Sequence, residues 1–296
     1  MEKNKRLFLF AAFDSKNIHH GVIDDPLVIF LRELSTLGDV VFFMDNDVAD
    51  SELEKITPLV LFAGAARHGE YDFGSYKRGY LWVRDNNLLD NYDWAYFVND
   101  SVYAPFYPLR PIIETLESKT ADATGMVFNA RKRNPHIQSW FFGTSKKLFM
   151  SDYFDSFITS VVKHSNKRAV YQYEDGFTEL CKQNSVQISA AYYVRNREIY
   201  NNVKGLFCKG LPFMKKKVFR RRYGALGRQV LYVLNHISPE LSSAIIKHAQ
   251  YLYGEDYVNR FLTDNILKIM CRYIRYAGYK LFKIKNTSLP NTPQVQ

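Results

Sequence analysis

Short apolar runs, each closed by an acid or an amide, recur along the first half of this chain. Leu7–Ala12 (LFLFAA) leads to Asp14, Val40–Met44 (VVFFM) to Asp45-Asn46-Asp47, and Trp94–Val98 (WAYFV) to Asn99-Asp100-Ser101. A strand that is apolar at every position, rather than at every second one, has to bury both faces. Parallel strands sandwiched between helices meet that demand. Between the runs, Pro26–Leu37 places its apolar residues at helical spacing and stops before Gly38. Leu59–Ala63 and Ala123–Phe128 complete the strand candidates. The expectation is therefore an α/β fold, a mostly parallel sheet flanked by helices. Ligands of such sheets gather beyond the carboxyl ends of the strands, where Asp14, Asp45 and Asp100 stand.

At 296 residues the chain makes one large domain or two smaller ones, and 47% apolar residues supply a sizeable core. Three well-separated cysteines (Cys181, Cys208, Cys271) match neither a zinc site nor a disulfide framework, and read as free thiols in a reducing compartment. The run after Arg6 is too short to span a bilayer and has no small-residue cleavage site behind it. It reads as the first buried strand of a cytoplasmic protein.

Charge divides the chain in two. From Lys204 onward there are 17 Lys+Arg and 4 Asp+Glu, against 23 and 26 before it. A near-neutral body of residues 1–205 thus precedes a basic, mainly helical region, 206–296, suited to an acidic partner surface. Lys215–Lys217 and Arg220–Arg222 cluster there. Tyr257 to Lys283 reads as one basic amphipathic helix, too charged to cross a membrane.

Four segments carry residue types that suit chemistry on a phosphorylated sugar. Asp100, beyond a strand, is placed to hold a divalent cation against diphosphate oxygens, with Asn99 or Ser101 as weaker oxygen ligands. The dense stretch Arg67 to Lys77 (RHGEYDFGSYK) offers Arg67 or Lys77 to phosphate and Asp72 to a hydroxyl, with Asp72 or Ser75 as a helix cap. His136, Gln138 and Trp140 alternate with apolar residues as on a half-buried strand and suit a sugar-binding surface. Glu174 or Asp175, read as opening the helix of Phe177–Lys182, could take a proton from an attacking hydroxyl. Each segment alone also has an ordinary structural explanation, as turn chemistry, a solvated loop or a dipole-favoured acid.

Taken in order, HGEYDFGSYK (68–77), FVNDSVYAP (97–105), HIQSWFF (136–142), YEDGFTELC (173–181) and KGLPFMKKKVF (209–219) resemble the rhamnan synthesis F family of bacterial polysaccharide glycosyltransferases. The resemblance implies a GT-A-like nucleotide-sugar-binding domain, inverting transfer, and dTDP-L-rhamnose as donor. It also implies a lipid-linked glycan acceptor and Mg²⁺ or Mn²⁺ as cofactor, with Asp100 as metal ligand. By the same likeness Glu174 ranks before Asp175 as base and Asp72 contacts the donor; residue type and position put Asp14, Arg67, Lys77, Asn99, Asp100 and Ser101 on the donor side with it. His136, Gln138 and Trp140 fall in the acceptor or substrate pocket. The expected location is the inner face of the cell membrane, held peripherally by anionic lipid. The alternatives are a non-catalytic scaffold, which the lone carboxylate at Asp100 suggests, and a nucleic-acid-binding protein using the basic tail. The sequence contains no recognisable nucleic-acid-binding signature.

Overall fold

The computed structural model describes residues 5–131, 133–163, 167–220 and 225–282. They form two compact units, each discontinuous in sequence. The first comprises the described residues within 1–23, 30–100 and 108–196, and the second those within 24–29, 101–107 and 197–296.

The first unit contains β1 (Arg6–Ala12), most of α1 (Asp25–Ser35), β2 (Asp39–Met44), α2 (Asp50–Leu53), β3 (Phe62–Ala65), α3 (Tyr71–Asp85) and β4 (Trp94–Asn99). After an excursion into the second unit with β5 (Val102–Tyr103), it resumes with α4 (Arg110–Glu117), β6 (Ala123–Asn129), β7 (His136–Ile137) and β8 (Phe141–Ser145). It closes with α5 (Lys146–Phe149), α6 (Asp152–Thr159), α7 (Lys167–Gln183) and β9 (Ile188–Val194).

Its sheet begins β3-β2-β1-β4 with all four strands parallel. β8 then enters antiparallel between β4 and β6, which turns β6 to run the same way as β4. β7 pairs antiparallel with Phe128–Asn129 of β6, continuing the edge that β8 occupies along Ala123–Gly125. β9 lies parallel along the other edge. The carboxyl ends of β1, β2, β3, β4, β6 and β9 therefore share one sheet edge, and the amino ends of β7 and β8 lie there too.

The double-sided burial read from the apolar runs holds. Leu7, Leu9 and Ala11 pack into one cluster with Phe73, Tyr76 and Tyr80 of α3. The alternate residue Phe10 meets Phe30 of α1 edge-on and stacks on Phe42. A buried ion pair closes the opposite end of the sheet: Arg6 grips Glu117 through two bonds of 2.6 and 2.7 Å, and Tyr96 donates to the same carboxylate.

Several local expectations shift. Pro58 starts a 3₁₀ turn (Thr57–Leu59), so the third strand begins at Phe62 rather than Leu59. The stretch from His136 pairs for two residues only before the chain turns at Ser139–Trp140. Helix α7 opens at Lys167, so Glu174 and Asp175 stand in mid-helix rather than at its start. Neither Asp72 nor Ser75 caps α3; Glu70 occupies the cap position without a side-chain bond.

The second unit gathers β5, β10 (Met214–Lys215) and the helices α8 (Glu198–Asn201), α9 (Val203–Cys208), α10 (Leu226–Leu234), α11 (Pro239–Tyr253), α12 (Glu255–Phe261) and α13 (Ile266–Phe282). The continuous helix expected from Tyr257 is broken at Leu262–Asn265, and Lys283 lies outside the described residues. Its core joins Tyr103 and Phe219 to Leu226, Val230, Ile245 and Val258. Two cations of the basic cluster are drawn inward. Lys215 is buried with its ammonium on Ser101 Oγ at 2.8 Å, and Lys216 lies 3.5 Å from Asp24. Arg221 and Arg222 lie outside the described residues.

Candidate functional site at the carboxyl edge of the sheet

Each strand delivers a polar residue to this edge because its apolar run ends there. At β2, Asp45 is buried and organises the loop that precedes α3. Its Oδ1 accepts the backbone N–H groups of His68 and Gly69 at 2.7 and 2.8 Å, and its Oδ2 pairs with Arg67 at 2.6 Å. Arg67 also lies over the Phe13 ring, 5.3 Å from its centroid. Gly69 takes φ +72°, a conformation glycine adopts without cost.

His68 extends the same network. Its Nδ1 accepts the Glu70 N–H at 3.1 Å, which puts the proton on Nε2 for donation to Ser75 Oγ at 3.0 Å. Burial pushes this imidazole down to about 4, with Arg78 adding to the effect against the pull of Asp45. It is a neutral structural histidine at physiological pH. Burial raises the Glu70 carboxyl, but hydrogen bonds from Arg78 and Lys77 outweigh it and hold Glu70 below the usual range. Lys77 spends its ammonium on Glu70 at 3.0 Å and on the Val161 carbonyl at 2.6 Å, so it braces the start of α3.

At β4, the Asn99 amide donates to Asp72 Oδ2 at 2.8 Å, joining the strand end to the first turn of α3. Asp100 continues the strand direction, its N–H held by the Ala11 carbonyl at 3.1 Å. Asp72, Asn99 and Asp100 are thus brought together. Ser101 belongs to the second unit. Asp14, at β1, is buried and accepts the N–H groups of Lys16, Asn17 and Val22. Asn46 fastens the same loop from inside. Asp14 accordingly shapes its own turn.

The segment from β7 brings the remaining candidates to the edge. Trp140 is 2% exposed and its indole N–H binds Gln138 Oε1 at 2.5 Å, so the ring is a packing element rather than an open stacking platform. His136 stands opposite Asn129 in the β6–β7 register. Its Nδ1 lies 2.9 Å from the Asn134 carbonyl and 3.6 Å from Asp175 Oδ1. Asp175 is held by Arg131 at 3.2 Å. The side chain of Glu174 lies outside the described residues.

Sequence reasoning gave Asp45 a strand-end position and His68 a place in the Arg67–Lys77 stretch but neither a role, and passed over Asn129 and Arg131. The signal for Asn129 was the same as for Asn99, an amide closing an apolar run.

The model of the family described as rhamnan synthesis protein F matches residues 40–276. Over 150 residues, 49% of the chain, the sequence is 25% identical to uncharacterized protein y4gN of Sinorhizobium fredii, and the match spans 39% of that relative's length. Among solved structures it is similar to a putative nucleotide-diphospho-sugar transferase from Desulfovibrio desulfuricans, with TM-score 0.39 and 15% identity over 68% of this chain and 88% of that one. It is also similar to TarS residues 1–349 of S. aureus, with TM-score 0.38 and 11% identity over 96% and 76%. For core-mannan synthase A of Aspergillus fumigatus in its Mn/GDP form the values are 0.34 and 10% over 61% and 70%. Matched by the family model over well over half its length, the chain belongs to the rhamnan synthesis protein F family.

Proposed function

We propose that this protein is a polysaccharide glycosyltransferase whose first unit, GT-A-like, binds a nucleotide sugar at the carboxyl edge of its sheet. The reading rests on family membership and above all on one observation: Asp72, Asn99 and Asp100 converge where β4 ends. By the family resemblance the donor is dTDP-L-rhamnose, transfer inverts the anomeric centre, and the acceptor is a lipid-linked glycan of a cell-surface polysaccharide.

A divalent cation suits these residues in one particular way. Among the described residues no three His, Cys, Asp or Glu side chains converge into a protein-only cage. Mg²⁺ at nucleotide sites is commonly held by one or two carboxylates together with substrate phosphates, and Asp100 fits that arrangement. When bound, the cation would offset the charge that grows on the departing diphosphate.

The chain's own residues do the rest. Asn99 fixes the Asp72 carboxylate toward the donor, and the Asp45-held loop keeps the start of α3 in place. Glu174 accepts the proton of the attacking hydroxyl, since Asp175 is already committed to Arg131. The second unit carries the approach to the membrane. No helix among the described residues is long and apolar enough to cross a bilayer. Helix α13 nevertheless exposes Ile266, Leu267, Met270, Tyr273 and Ile274, consistent with an apolar face lying on anionic lipid with the basic residues around it.

Calorimetric titration with a nucleotide-sugar panel, with and without Mg²⁺ or Mn²⁺, tests this function. Binding of dTDP-rhamnose that metal strengthens and Asp100→Ala abolishes is expected. Glu174→Gln should depress turnover with little change in donor affinity. A large loss of donor binding in that variant would remove Glu174 from the base role, and a panel without any binder would remove the transferase.

A further inference from the structure

Asn129 ends β6 at the same edge as Asp100, and it is 6% exposed. Its Nδ2 donates to the Asn196 carbonyl at 3.2 Å. That bond fixes the amide orientation, because a flipped amide would set oxygen against oxygen. Asn196 itself takes a left-handed φ of 51°, part of the turn that presents this carbonyl. With Nδ2 committed, Asn129 Oδ1 is buried and meets no donor among the described residues. Buried acceptors are nearly always satisfied in native proteins, and one that is not calls for a reason.

His136 supplies a second acceptor beside it. Residues directly opposed in an antiparallel pair share a face, with Cβ atoms about 5 Å apart, and Asn129 is opposed to His136. The imidazole gives its Nδ1 proton to the Asn134 carbonyl at 2.9 Å, with Asp175 3.6 Å behind. In that tautomer Nε2 is a lone-pair acceptor.

Two neighbouring acceptors select what can bind them. Phosphate and carboxylate oxygens bring no protons and are repelled. A cation would have to sit near the Arg131 guanidinium, which already pairs with the Asp175 carboxylate at 3.2 Å. Neutral hydroxyl donors remain. We propose that Asn129 Oδ1 and His136 Nε2 form a hydroxyl-recognition subsite that reads two hydroxyls of a pyranose ring. Arg131 and Asp175 serve as positioning residues that hold the imidazole tautomer. The inference rests on the glycosyltransferase reading and names the part of the edge that recognises sugar rather than nucleotide. The sugar has two sources, the donor or the acceptor.

The test uses the full chain and Asn129→Leu, which keeps the size and removes the acceptor. Its probes are dTDP-L-rhamnose, UDP-galactose, UDP-N-acetylglucosamine and GDP-mannose. The matching bare diphosphates serve as controls, and methyl glycosides of the same sugars are titrated in the presence of diphosphate. A loss of about tenfold or more in nucleotide-sugar affinity, with bare diphosphate binding unchanged, supports a donor subsite. The same loss confined to a methyl glycoside supports an acceptor subsite. Because the leucine variant also unpairs the Asn196 carbonyl and can fail to fold, monodeoxy analogues are titrated against the unaltered protein. Removal of one ring hydroxyl at a time should lower affinity to a similar extent at two positions. Unchanged sugar affinity in Asn129→Leu, an equal loss for sugars and bare diphosphates, or indifference to every deoxy analogue overturns the subsite while leaving the transferase standing. If neither a nucleotide nor a sugar binds the unaltered protein, the transferase reading falls and the subsite with it.

Discussion

Asp45→Ala removes the anchor of the loop that leads into α3, and the structure sets the size of the effect. The carboxylate accepts two backbone N–H groups, from His68 at 2.7 Å and Gly69 at 2.8 Å, and pairs with Arg67. A hydrogen bond to a charged group contributes ~1.5–3 kcal/mol. Water entering the vacated space returns part of the loss, and Arg67 is partly exposed, so its ion pair adds little. The net local cost is then about 2–3 kcal/mol, a rise of about 30- to 150-fold in amide exchange at residues 68 and 69. Hydrogen exchange resolved by residue is the assay, with the β1 and β4 amides as internal reference. The reasoning fails if exchange at His68 and Gly69 rises less than threefold. It fails equally if every amide of the sheet accelerates together, because the anchor would then be global rather than local.

Three further outcomes follow from the same geometry. Burial holds the His68 and His248 imidazoles down, to about 4 and about 3, against ~6.5 in the unfolded chain. The unfolded chain therefore binds more protons in between. Stability is full above pH ~6.5 and declines as pH falls through 4, each histidine contributing a slope of up to ~1.4 kcal/mol per pH unit. A thermal midpoint that stays flat from pH 7 to 5, where most carboxylates remain charged, would contradict this. Glu117→Gln strands the buried Arg6 guanidinium and should cost ~3–5 kcal/mol in urea titration; a loss under ~1 kcal/mol would mean the pair is solvated. Replacing Ile266 and Ile274 together by serine should weaken binding to anionic phosphatidylglycerol vesicles about tenfold or more, measured by co-sedimentation. Undiminished binding would shift the lipid contact away from α13.

Much of the first unit could be read before its structure, for a physical reason. Strands buried on both faces have to be apolar throughout, so β1, β2, β4 and β6 announce themselves. By contrast β8 (FFGTS) mixes glycine and hydroxyl residues, because Gly143 sits against the Tyr96 ring and Thr144 bonds the Ala95 carbonyl. The edge strand β9 is only partly covered and shows no clean run. The start of α7 hides in the short stretch Lys167–Gln172 (KRAVYQ), where three consecutive apolar residues set no helical stripe to mark the boundary. Position at a strand end located the candidate site, yet could not separate its acids by role. Asp14 and Asp45 turn their lone pairs to loop N–H groups, and that distinction lives in backbone conformation. Asn129 closes an apolar run as Asn99 does, but that its amide oxygen meets no donor among the described residues is invisible in sequence.

The interleaving of the two units has a consequence for how the chain is made. Residues 24–29 and 101–107 belong to the second unit, yet most of that unit is translated much later. Tyr103 bonds His248, 145 residues downstream. At a synthesis rate of ~5–20 residues per second, Tyr103 leaves the ribosome roughly 7–30 s before its partner. Until residues 214–216 emerge, late in that interval, Val102 and Tyr103 form a strand edge without β10 beside it and Asp24 lacks Lys216; its other partner, His248, comes last. The nascent first unit can close its own sheet meanwhile, but it must do so while carrying two unfinished pieces of its neighbour.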